Sequence, residues 1–240
     1  MKKIIKKNKA VFGAIIVAAG KSSRMQGIDK QLLEINGIPA LTRSILAFQS
    51  CKQIKQITVV CREDMMGEIL DMVYKYNLDK VGGLVSGGET RQQSVFKGIA
   101  ELKQEITHCI IHDGARPFVS SEVIERCITD VIVHKAVTAA VKVKDTIKQG
   151  NAESFIDKTL DRENLYIAQT PQMFELDLYK EAMRTALQAG NDFTDDCRLV
   201  ENIGQKVYLS EGDYLNIKIT TPEDIILSSA IANILAINGR

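Results

Sequence analysis

The chain has 240 residues, with 31 Lys or Arg, 30 Asp or Glu, 3 His and a formal net charge of +1. Hydrophobic residues make up 45% and charged residues 25%, which is typical of a soluble globular protein and excludes disordered, collagen-like and coiled-coil chains. The near-zero net charge argues against a general nucleic-acid binder, which is normally strongly basic. Residues 1–9 hold five lysines and no acid; without them 26 basic side chains face 30 acidic ones, so we predict a mildly acidic body, residues 10–240, behind a flexible basic tail, residues 1–9.

The apolar run from Ala10 to Gly20 allows two interpretations. It follows lysines and contains small residues at Ala18 and Ala19, as a secretory signal peptide does. It is also rich in β-branched residues and ends at a glycine loop, which is typical of a buried first strand. The strand is favoured, because removing the run would destroy the ligand loop predicted after Gly20. The run is too short to span a membrane, which takes about 20 apolar residues.

Short apolar runs alternate with stretches of helical periodicity along the chain. This alternation predicts an α/β fold, in which a mainly parallel central sheet carries helices on both faces. Ligands of such sheets bind beyond the carboxyl ends of the strands, so site residues should follow strands directly. Strands are predicted at 11–18, 57–61, 82–86, 108–112, 137–143, 206–209 and 215–219, and helices at about 39–50, 63–76, 91–103, 121–134, 175–189, 195–202 and 223–237.

Residues 144–169 interrupt this alternation. Gly150 and Asn151 are typical of a turn and stand between two polar, strand-compatible runs, which favours a hairpin arm that projects from the domain. A long surface loop is the alternative, but loops beyond about 15 residues are usually functional or disordered.

The five cysteines predict neither a disulfide framework nor a zinc site, because their number is odd and no pair has the C-x-x-C spacing. Free thiols are typical of a reducing compartment, so a cytoplasmic location is expected. The three histidines, His108, His112 and His134, form no metal-binding pattern with acidic residues.

The loop after the first strand, residues 18–33, is the first candidate for anion binding. It matches neither the G-x-G-x-x-G fingerprint nor a Walker A loop, since Ser22 and Met25 occupy two glycine positions of the former and Ile15 one of the latter. A turn of small residues nevertheless exposes backbone N–H groups that can bind phosphates. Arg24 and Lys30 add two cations, as transfer at the α-phosphorus of a nucleoside triphosphate requires.

Three further segments follow predicted strands: Gly87–Val95, Asp113–Phe118 and Thr220–Asp224. Each taken alone could be turn and capping chemistry, with Thr90, Ser120 and Thr221 as helix N-caps. Four such segments on one sheet edge favour a pocket for an anionic ligand. The charged residues that they bring there are Arg24, Lys30, Arg91, Asp113, Arg116 and Lys218.

Six motifs occur in the order AAGKSSRM…KQLLEINGIPAL, GGETRQQSV, HDGARPF, DRENLYIAQTPQMF, FTDD and NIKITTPED. Together they resemble the 2-C-methyl-D-erythritol 4-phosphate cytidylyltransferase family of the non-mevalonate isoprenoid pathway, over about residues 11–238. The resemblance implies a Rossmann-like nucleotidyltransferase fold with a protruding β-hairpin arm that clasps a second subunit, here about residues 144–169. It also implies cytidylyl transfer from CTP to methylerythritol phosphate, in a homodimer.

Matching positions imply a nucleotide site and a sugar-phosphate site. In the first, Arg24 and Lys30 would stabilise charge at the α-phosphorus, with Arg91 nearby. The nucleotide ligands implied in this way are Ala18, Ala19, Gly20, Ser22, Ser23, Gly88, Glu89, Ser94, Asp113 and Ala115.

The sugar-phosphate site is implied to be shared between subunits, because Thr146 and Arg162 lie on the arm. Arg162 and Lys218 join Arg24 and Lys30 as implied catalytic residues. The substrate ligands implied are Asp113, Arg116, Thr146, Arg162, Thr170, Thr194 and Lys218. Mg²⁺ is expected to be held mainly by the CTP phosphates, so no protein ligand to a metal is predicted, and neither nucleic acid nor a membrane is an expected partner.

This chain departs from the family pattern beside the catalytic lysine. The usual Pro-Lys-Gln is Asp29-Lys30-Gln31 here, and an acid at this position is expected to weaken triphosphate binding unless it points to solvent or to a metal. Glu89 stands where Asp is frequent, and Cys197 and Arg198 stand where small residues are frequent. The alternatives are a ribitol-5-phosphate cytidylyltransferase, disfavoured by Ala-Ala-Gly and Asp-Gly-Ala-Arg-Pro, a non-catalytic nucleotide-binding regulator, and a nicotinamide-dependent reductase.

Overall fold

A computed structural model of the chain describes residues 9–20, Met25 and residues 29–237. The strands are β1 (Phe12–Val17), β2 (Glu34–Ile35), β3 (Ile38–Pro39), β4 (Ile54–Cys61), β5 (Val81–Ser86), β6 (His108–Asp113), β7 (Ala136–Lys142), β8 (Lys148–Gly150), β9 (Ile156–Thr159), β10 (Tyr166–Glu175) and β11 (Tyr208–Glu211). The α-helices are α1 (Ala40–Ser50), α2 (Met66–Lys75), α3 (Arg91–Ala100), α4 (Ser121–His134), α5 (Leu176–Ala189), α6 (Asp196–Glu201) and α7 (Glu223–Ile237).

Seven strands form the central sheet in the order β11-β7-β10-β6-β1-β4-β5. Every neighbouring pair is parallel except those that β10 makes with β6 and β7. The predicted mainly parallel α/β fold is therefore confirmed. The apolar run after the basic tail forms β1, which lies between β4 and β6 and is almost wholly buried, so the strand interpretation of that run is confirmed.

Helices cover both faces of the sheet, because successive side chains of a buried strand point to opposite faces. Ile16 packs on one face with Phe48 of α1 and Ile128 of α4. Ile15 packs on the other face with Val95 of α3 and Tyr179 of α5. Burial of each such side chain contributes about 1.5–3 kcal/mol, so β1 is a main source of stability for both layers.

The predicted caps of α3 and α4 are present. The Thr90 side chain accepts a hydrogen bond from Gln93 N, and the Ser120 side chain accepts one from Val123 N. These bonds satisfy backbone donors that have no partner inside the helix, and they fix where each helix begins.

The predicted strand at 215–219 is wrong. One of its alternating apolar residues, Ile219, is buried, but the backbone of this segment is hydrogen-bonded to a loop and not to a strand. Asn216 O accepts a hydrogen bond from Arg116, and Ile219 N donates to Ala115 O. Two of the backbone groups that a strand would use are therefore already committed.

The prediction missed β10, which lies in the middle of the sheet. Gln169, Pro171 and Gln172 give this segment the polarity of a loop, and proline cannot donate to a sheet ladder. The structure accommodates them at a break in the β7–β10 register between Ala168 and Gln172. The predicted arm, about 144–169, is correspondingly too long, because residues 166–169 belong to β10.

The remainder of that segment contains the predicted hairpin, formed by β8 and β9. Its turn begins at the predicted position, where Asn151 Oδ1 accepts hydrogen bonds from the backbone nitrogens of Glu153 and Phe155. Every residue of both strands is exposed, and Phe155 and Ile156 expose most of their side-chain surface. Within the described ranges, no helix is long and apolar enough to cross a membrane. All five cysteines are free and buried.

Candidate active site

A cleft of about 940 Å³ opens at the carboxyl ends of β1, β5 and β6, the edge at which parallel sheets bind ligands. Its walls combine small residues, cations and few acids. The described residues that line it are Val17, Ala19, Gly20, Lys30, Gln31, Gly87, Gly88, Glu89, Thr90, Arg91, Gln93, Ser94, Lys97, Asp113, Ala115 and Lys218.

The turn after β5 requires its two glycines. A Cβ on Gly87 would lie 2.4 Å from Ala19 Cβ, and one on Gly88 would lie 2.4 Å from Gln93 Cβ. Ser94 Oγ accepts a hydrogen bond from Gly88 N at 3.0 Å and donates to Thr90 O at 2.9 Å. The turn is thus packed directly against the end of β1, and it brings the start of α3 to the cleft.

Asp113, the last residue of β6, is surrounded by three cations. Lys218 Nζ lies 2.8 Å and Arg116 Nε 3.7 Å from Asp113 Oδ2, while an Arg91 nitrogen lies 3.8 Å from Oδ1. Burial acts to raise the pKa of Asp113, but these neighbours, Lys218 first, hold that pKa well below its usual range. Asp113 is therefore ionised at neutral pH and gathers cations from three parts of the chain.

Arg91 is held by a second, fully buried acid. Its guanidinium lies 2.6 Å from Asp196 Oδ2, and Tyr179 donates a hydrogen bond of 2.6 Å to Asp196 Oδ1. Burial lowers the pKa of Arg91, but the carboxylates of Asp196 and Asp113 outweigh it and raise that pKa. Burial raises the pKa of Asp196 in turn. The arginine side chain is consequently fixed between the two aspartates.

Thr170, which is hydrogen-bonded to His112, fixes the backbone nitrogen of Asp113. His112 Nε2 lies 3.2 Å from Arg116 O, and Nδ1 lies 3.0 Å from Thr170 Oγ1, which also accepts from Asp113 N at 3.1 Å. These partners fit a neutral ring that donates through Nε2 and accepts at Nδ1. Burial lowers the pKa of His112 to about 4, so the ring stays neutral near pH 7.

Lys218 reaches the cleft because Asn216 anchors its segment. Asn216 is fully buried, its Nδ2 donates to Thr170 O at 2.9 Å, and its carbonyl accepts from Arg116 at 2.8 Å. The segment is thereby tied to β10 and to the loop after β6. Lys218 stands at the predicted place, although a buried amide and not a strand positions it.

Lys30 lies in a turn, residues 29–33, that is closed by Asp29. The Asp29 carbonyl accepts hydrogen bonds from the nitrogens of Leu32 and Leu33, and its Oδ1 accepts from Gln31 N at 3.0 Å. Asp29 Oδ2 lies 2.7 Å from an Arg62 nitrogen. The acid beside Lys30 therefore points to Arg62, which follows β4, and it does not line the cleft.

The structure brings most of the predicted ligands together. Those that line the cleft are Ala19, Gly20, Lys30, Gly88, Glu89, Ser94, Asp113, Ala115 and Lys218. Ala18 and Thr170 lie behind it as buried residues, and Arg116 contacts Asp113 from the side. Thr146, Arg162 and Thr194 are exposed and outside the cleft of their own chain, while Ser22, Ser23 and Arg24 lie outside the described residues.

Sequence reasoning did not single out the residues that hold this arrangement. They are Arg62, Tyr179, Asp196 and Asn216, and sequence reasoning also assigned no role to His112. No spacing signal marks them, because each acts through a partner that is distant in sequence. The Thr-Asp-Asp run does contain a signal for Asp196. This acid begins the largely buried helix α6, and a buried acid needs a partner.

The donor set fits a magnesium ion that is held largely by phosphate. Among the described residues, no three His, Cys, Asp or Glu side chains are grouped as a metal site. The described lining contains two carboxylates, Asp113 and Glu89, and Mg²⁺ is commonly bound through one or two carboxylates together with substrate phosphates.

Comparison with known proteins identifies the arrangement. A family model described as 2-C-methyl-D-erythritol 4-phosphate cytidylyltransferase matches residues 12–233. The chain belongs to this family. It is 41% identical over 222 residues to the cytidylyltransferase of that name from Geobacillus kaustophilus, covering 92% of this chain and 96% of the relative. Its counterpart from Clostridium novyi is 44% identical over 221 residues, covering 91% and 95%.

Solved structures of the family share the fold. The 4-diphosphocytidyl-2C-methyl-D-erythritol synthase from Anaerococcus prevotii matches with a TM-score of 0.83 and 34% identity, over 93% of this chain and 96% of that one. The 2-C-methyl-D-erythritol 4-phosphate cytidylyltransferase from Thermus thermophilus matches with a TM-score of 0.77 and 28% identity, over 94% and 100%. The resemblance seen in the motifs is confirmed, and the chain is a nucleotidyltransferase of the isoprenoid pathway.

Proposed function

We propose that this chain transfers the cytidylyl group of CTP to 2-C-methyl-D-erythritol 4-phosphate and releases pyrophosphate. The observation that carries the proposal is the convergence of Lys30, Arg91 and Lys218 on one cleft at the sheet edge. Both substrates are polyanions, so their mutual repulsion is the main obstacle to reaction. Fixed cations offset it in the reactants and stabilise charge on the α-phosphorus in the transition state.

A phosphate oxygen of methylerythritol phosphate attacks the α-phosphorus of CTP. One O–P bond forms, the bond from the α-phosphorus to the bridging oxygen breaks, and that electron pair leaves with pyrophosphate. The attacking oxygen is already anionic at neutral pH, so the reaction requires no general base. Neutral His112, buried beneath the cleft, is consistent with this, because it holds Asp113 and does not line the cleft.

The nucleotide lies, in this proposal, against the turns after β1 and β5. Ala19 and Gly20 border the nucleotide, with Ala18 buried behind them. Its phosphates are assigned to Ser22, Ser23 and Arg24, which lie outside the described residues. Gly88, Glu89 and Ser94 border its base and ribose, and Ala115 borders it from the β6 side. Asp113 and Glu89 are the carboxylates of the described lining that would be available to hold Mg²⁺, which would neutralise phosphate charge when bound.

The sugar phosphate lies beside Asp113, Arg116 and Lys218, with Thr170 behind them. Thr146 and Arg162, on the arm, lie outside the cleft of their own chain, which supports a site completed by the arm of a second copy. Thr194 is assigned to the same substrate. Phe155 and Ile156 give that hairpin an exposed apolar tip, which supports the same role. We therefore include a cytoplasmic homodimer of residues 10–240 in the proposal, with the arm as its dimerisation element and the basic tail 1–9 outside the catalytic unit.

Pyrophosphate release tests the proposal directly. The purified chain is given Mg²⁺ and each nucleoside triphosphate, with methylerythritol phosphate, ribitol 5-phosphate or no acceptor. Release only with CTP and methylerythritol phosphate is expected. Preferred release with ribitol 5-phosphate would replace the proposal by the ribitol alternative, and no release with any acceptor would refute transfer altogether.

A further inference from the structure

Arg62 lies directly after β4, beside the cleft but not among the residues that line it. Its guanidinium contacts two acids: an NH2 nitrogen lies 2.7 Å from Asp29 Oδ2, and Nε lies 3.1 Å from Asp64 Oδ1. The two contacts differ in setting. The Asp64 side chain is 72% exposed, whereas that of Asp29 is 20% exposed, so the Asp29 pair is better shielded from solvent.

Asp29 is the residue that closes the Lys30 turn, residues 29–33. Its carbonyl and Oδ1 accept three backbone hydrogen bonds from within this turn. The far side of the turn is tied to α1, since Leu41 N donates to Gln31 O and Ala40 N donates to Leu33 O. Arg62 holds the near side, so the turn that carries Lys30 is secured at both ends.

The electrostatic consequence matters more than the mechanical one. Asp29 is bonded covalently to Lys30, and an unpaired carboxylate there would repel a triphosphate that approaches the lysine. An opposite charge at hydrogen-bond distance cancels most of that field. We propose that Arg62 is a positioning residue for nucleotide binding: it neutralises Asp29 and keeps its carboxylate turned away from the triphosphate at Lys30.

This inference rests on the proposed function for the identity of the anion. It differs from a stabilising role, because a partly exposed ion pair contributes little to folding. Loss of Arg62 should therefore weaken nucleotide binding in a protein that remains folded. The defect should also disappear when the charge of Asp29 is removed.

The test is the dissociation constant of CTP with Mg²⁺, measured by calorimetry on the purified full chain at low and high salt. Arg62→Gln is expected to weaken binding about tenfold at low salt and much less at high salt, where charges are screened. Arg62→Gln combined with Asp29→Asn should return to within about twofold of the wild type, because Asn keeps the Oδ1 acceptor for Gln31 N without the charge.

Two controls bound the result. Asp64→Asn removes the other partner of Arg62, and Arg184→Gln changes an exposed arginine on α5; both should bind CTP like the wild type. Wild-type affinity in Arg62→Gln would overturn the inference. So would a salt-independent loss that Asp29→Asn does not repair, since that is the behaviour of a structural role.

Failure of the proposed function is distinguishable, because binding is measured without turnover. A chain that binds CTP with this dependence on Arg62 but releases no pyrophosphate would refute the transfer and leave the inference standing. If the chain transfers cytidylyl groups and its Arg62→Gln variant binds CTP like the wild type, the proposed function stands and the inference is refuted.

Discussion

The Nζ of Lys218 lies 2.8 Å from Oδ2 of Asp113, although the two residues come from distant parts of the chain. Asp113 ends a central strand, and Lys218 lies in a segment without regular structure that is held by the buried Asn216. With Arg91 and Arg116 close by, this one carboxylate gathers three cations at the edge of the cleft.

Asp113→Asn should destabilise the fold, because it leaves three partly buried cations without their common partner. The free energy of unfolding should fall by about 2–3 kcal/mol, less than for a fully buried pair because Lys218 is partly exposed. Urea unfolding at pH 7, followed by circular dichroism, measures it, with the exposed Asp145→Asn as control. Equal midpoints in the wild type and Asp113→Asn would show that the cations do not need this carboxylate.

Stability should decline as the pH falls from about 6.5 to 4, since burial lowers the folded-state pKa of His112 to about 4 from 6.5. In that window the unfolded chain takes up a proton on this ring and the folded chain does not, so acid favours unfolding. The contribution of His112 is present above pH 6.5, is lost on acidification, and amounts to about 3 kcal/mol. Urea unfolding at half-unit pH steps should show a shallower slope in His112→Gln. An identical slope would mean that His112 titrates normally.

Tyr179→Phe should cost about 1.5–3 kcal/mol of stability, because the buried carboxylate of Asp196 loses a hydrogen bond of 2.6 Å. Arg91 should lose part of its anchoring, so kcat/KM for CTP should fall as well. Tyr208→Phe, an exposed tyrosine on β11, is the matched control. Unchanged melting and unchanged kcat/KM in Tyr179→Phe would remove Tyr179 and Asp196 from the support of the site.

Arg162→Ala should raise KM for methylerythritol phosphate, and mixing it with Lys30→Ala subunits should restore part of the activity. A mixed dimer has one site with an intact Lys30 and an intact Arg162 from different chains. Lys158→Ala, on β9 of the same arm, should behave as the wild type in the same assay. Absence of complementation, in subunits shown to exchange, would contradict a shared site.

The sequence predicted the sheet well where burial and β-branched residues coincide, as in β1. It failed at β10, because Gln169, Pro171 and Gln172 have the composition of a loop and are accommodated only by partners elsewhere. The placement of Lys218 was predicted from a strand that does not form, and Asn216 supplies the position instead.

An anion-binding cleft could be predicted from the sequence, because several cations follow the ends of predicted strands. The residues that hold the cleft in place could not be predicted. The contacts of Tyr179 with Asp196 and of Arg62 with Asp29 join residues that no local sequence pattern relates. The sequence places Asp29 next to Lys30, and from that position alone the acid was expected to repel a triphosphate. In the fold Asp29 pairs with Arg62, which follows another strand.

Pyrophosphate release by Lys30→Ala tests the central claim that cations of the strand-end cleft carry the transfer. With CTP and methylerythritol phosphate saturating, kcat should fall about 10³-fold or more, as expected for loss of a group that stabilises transition-state charge. Arg24→Ala should behave alike, while Lys52→Ala, an exposed lysine after α1, should keep wild-type turnover. Melting temperatures should match in all variants. A folded Lys30→Ala protein with kcat within tenfold of the wild type would contradict the account.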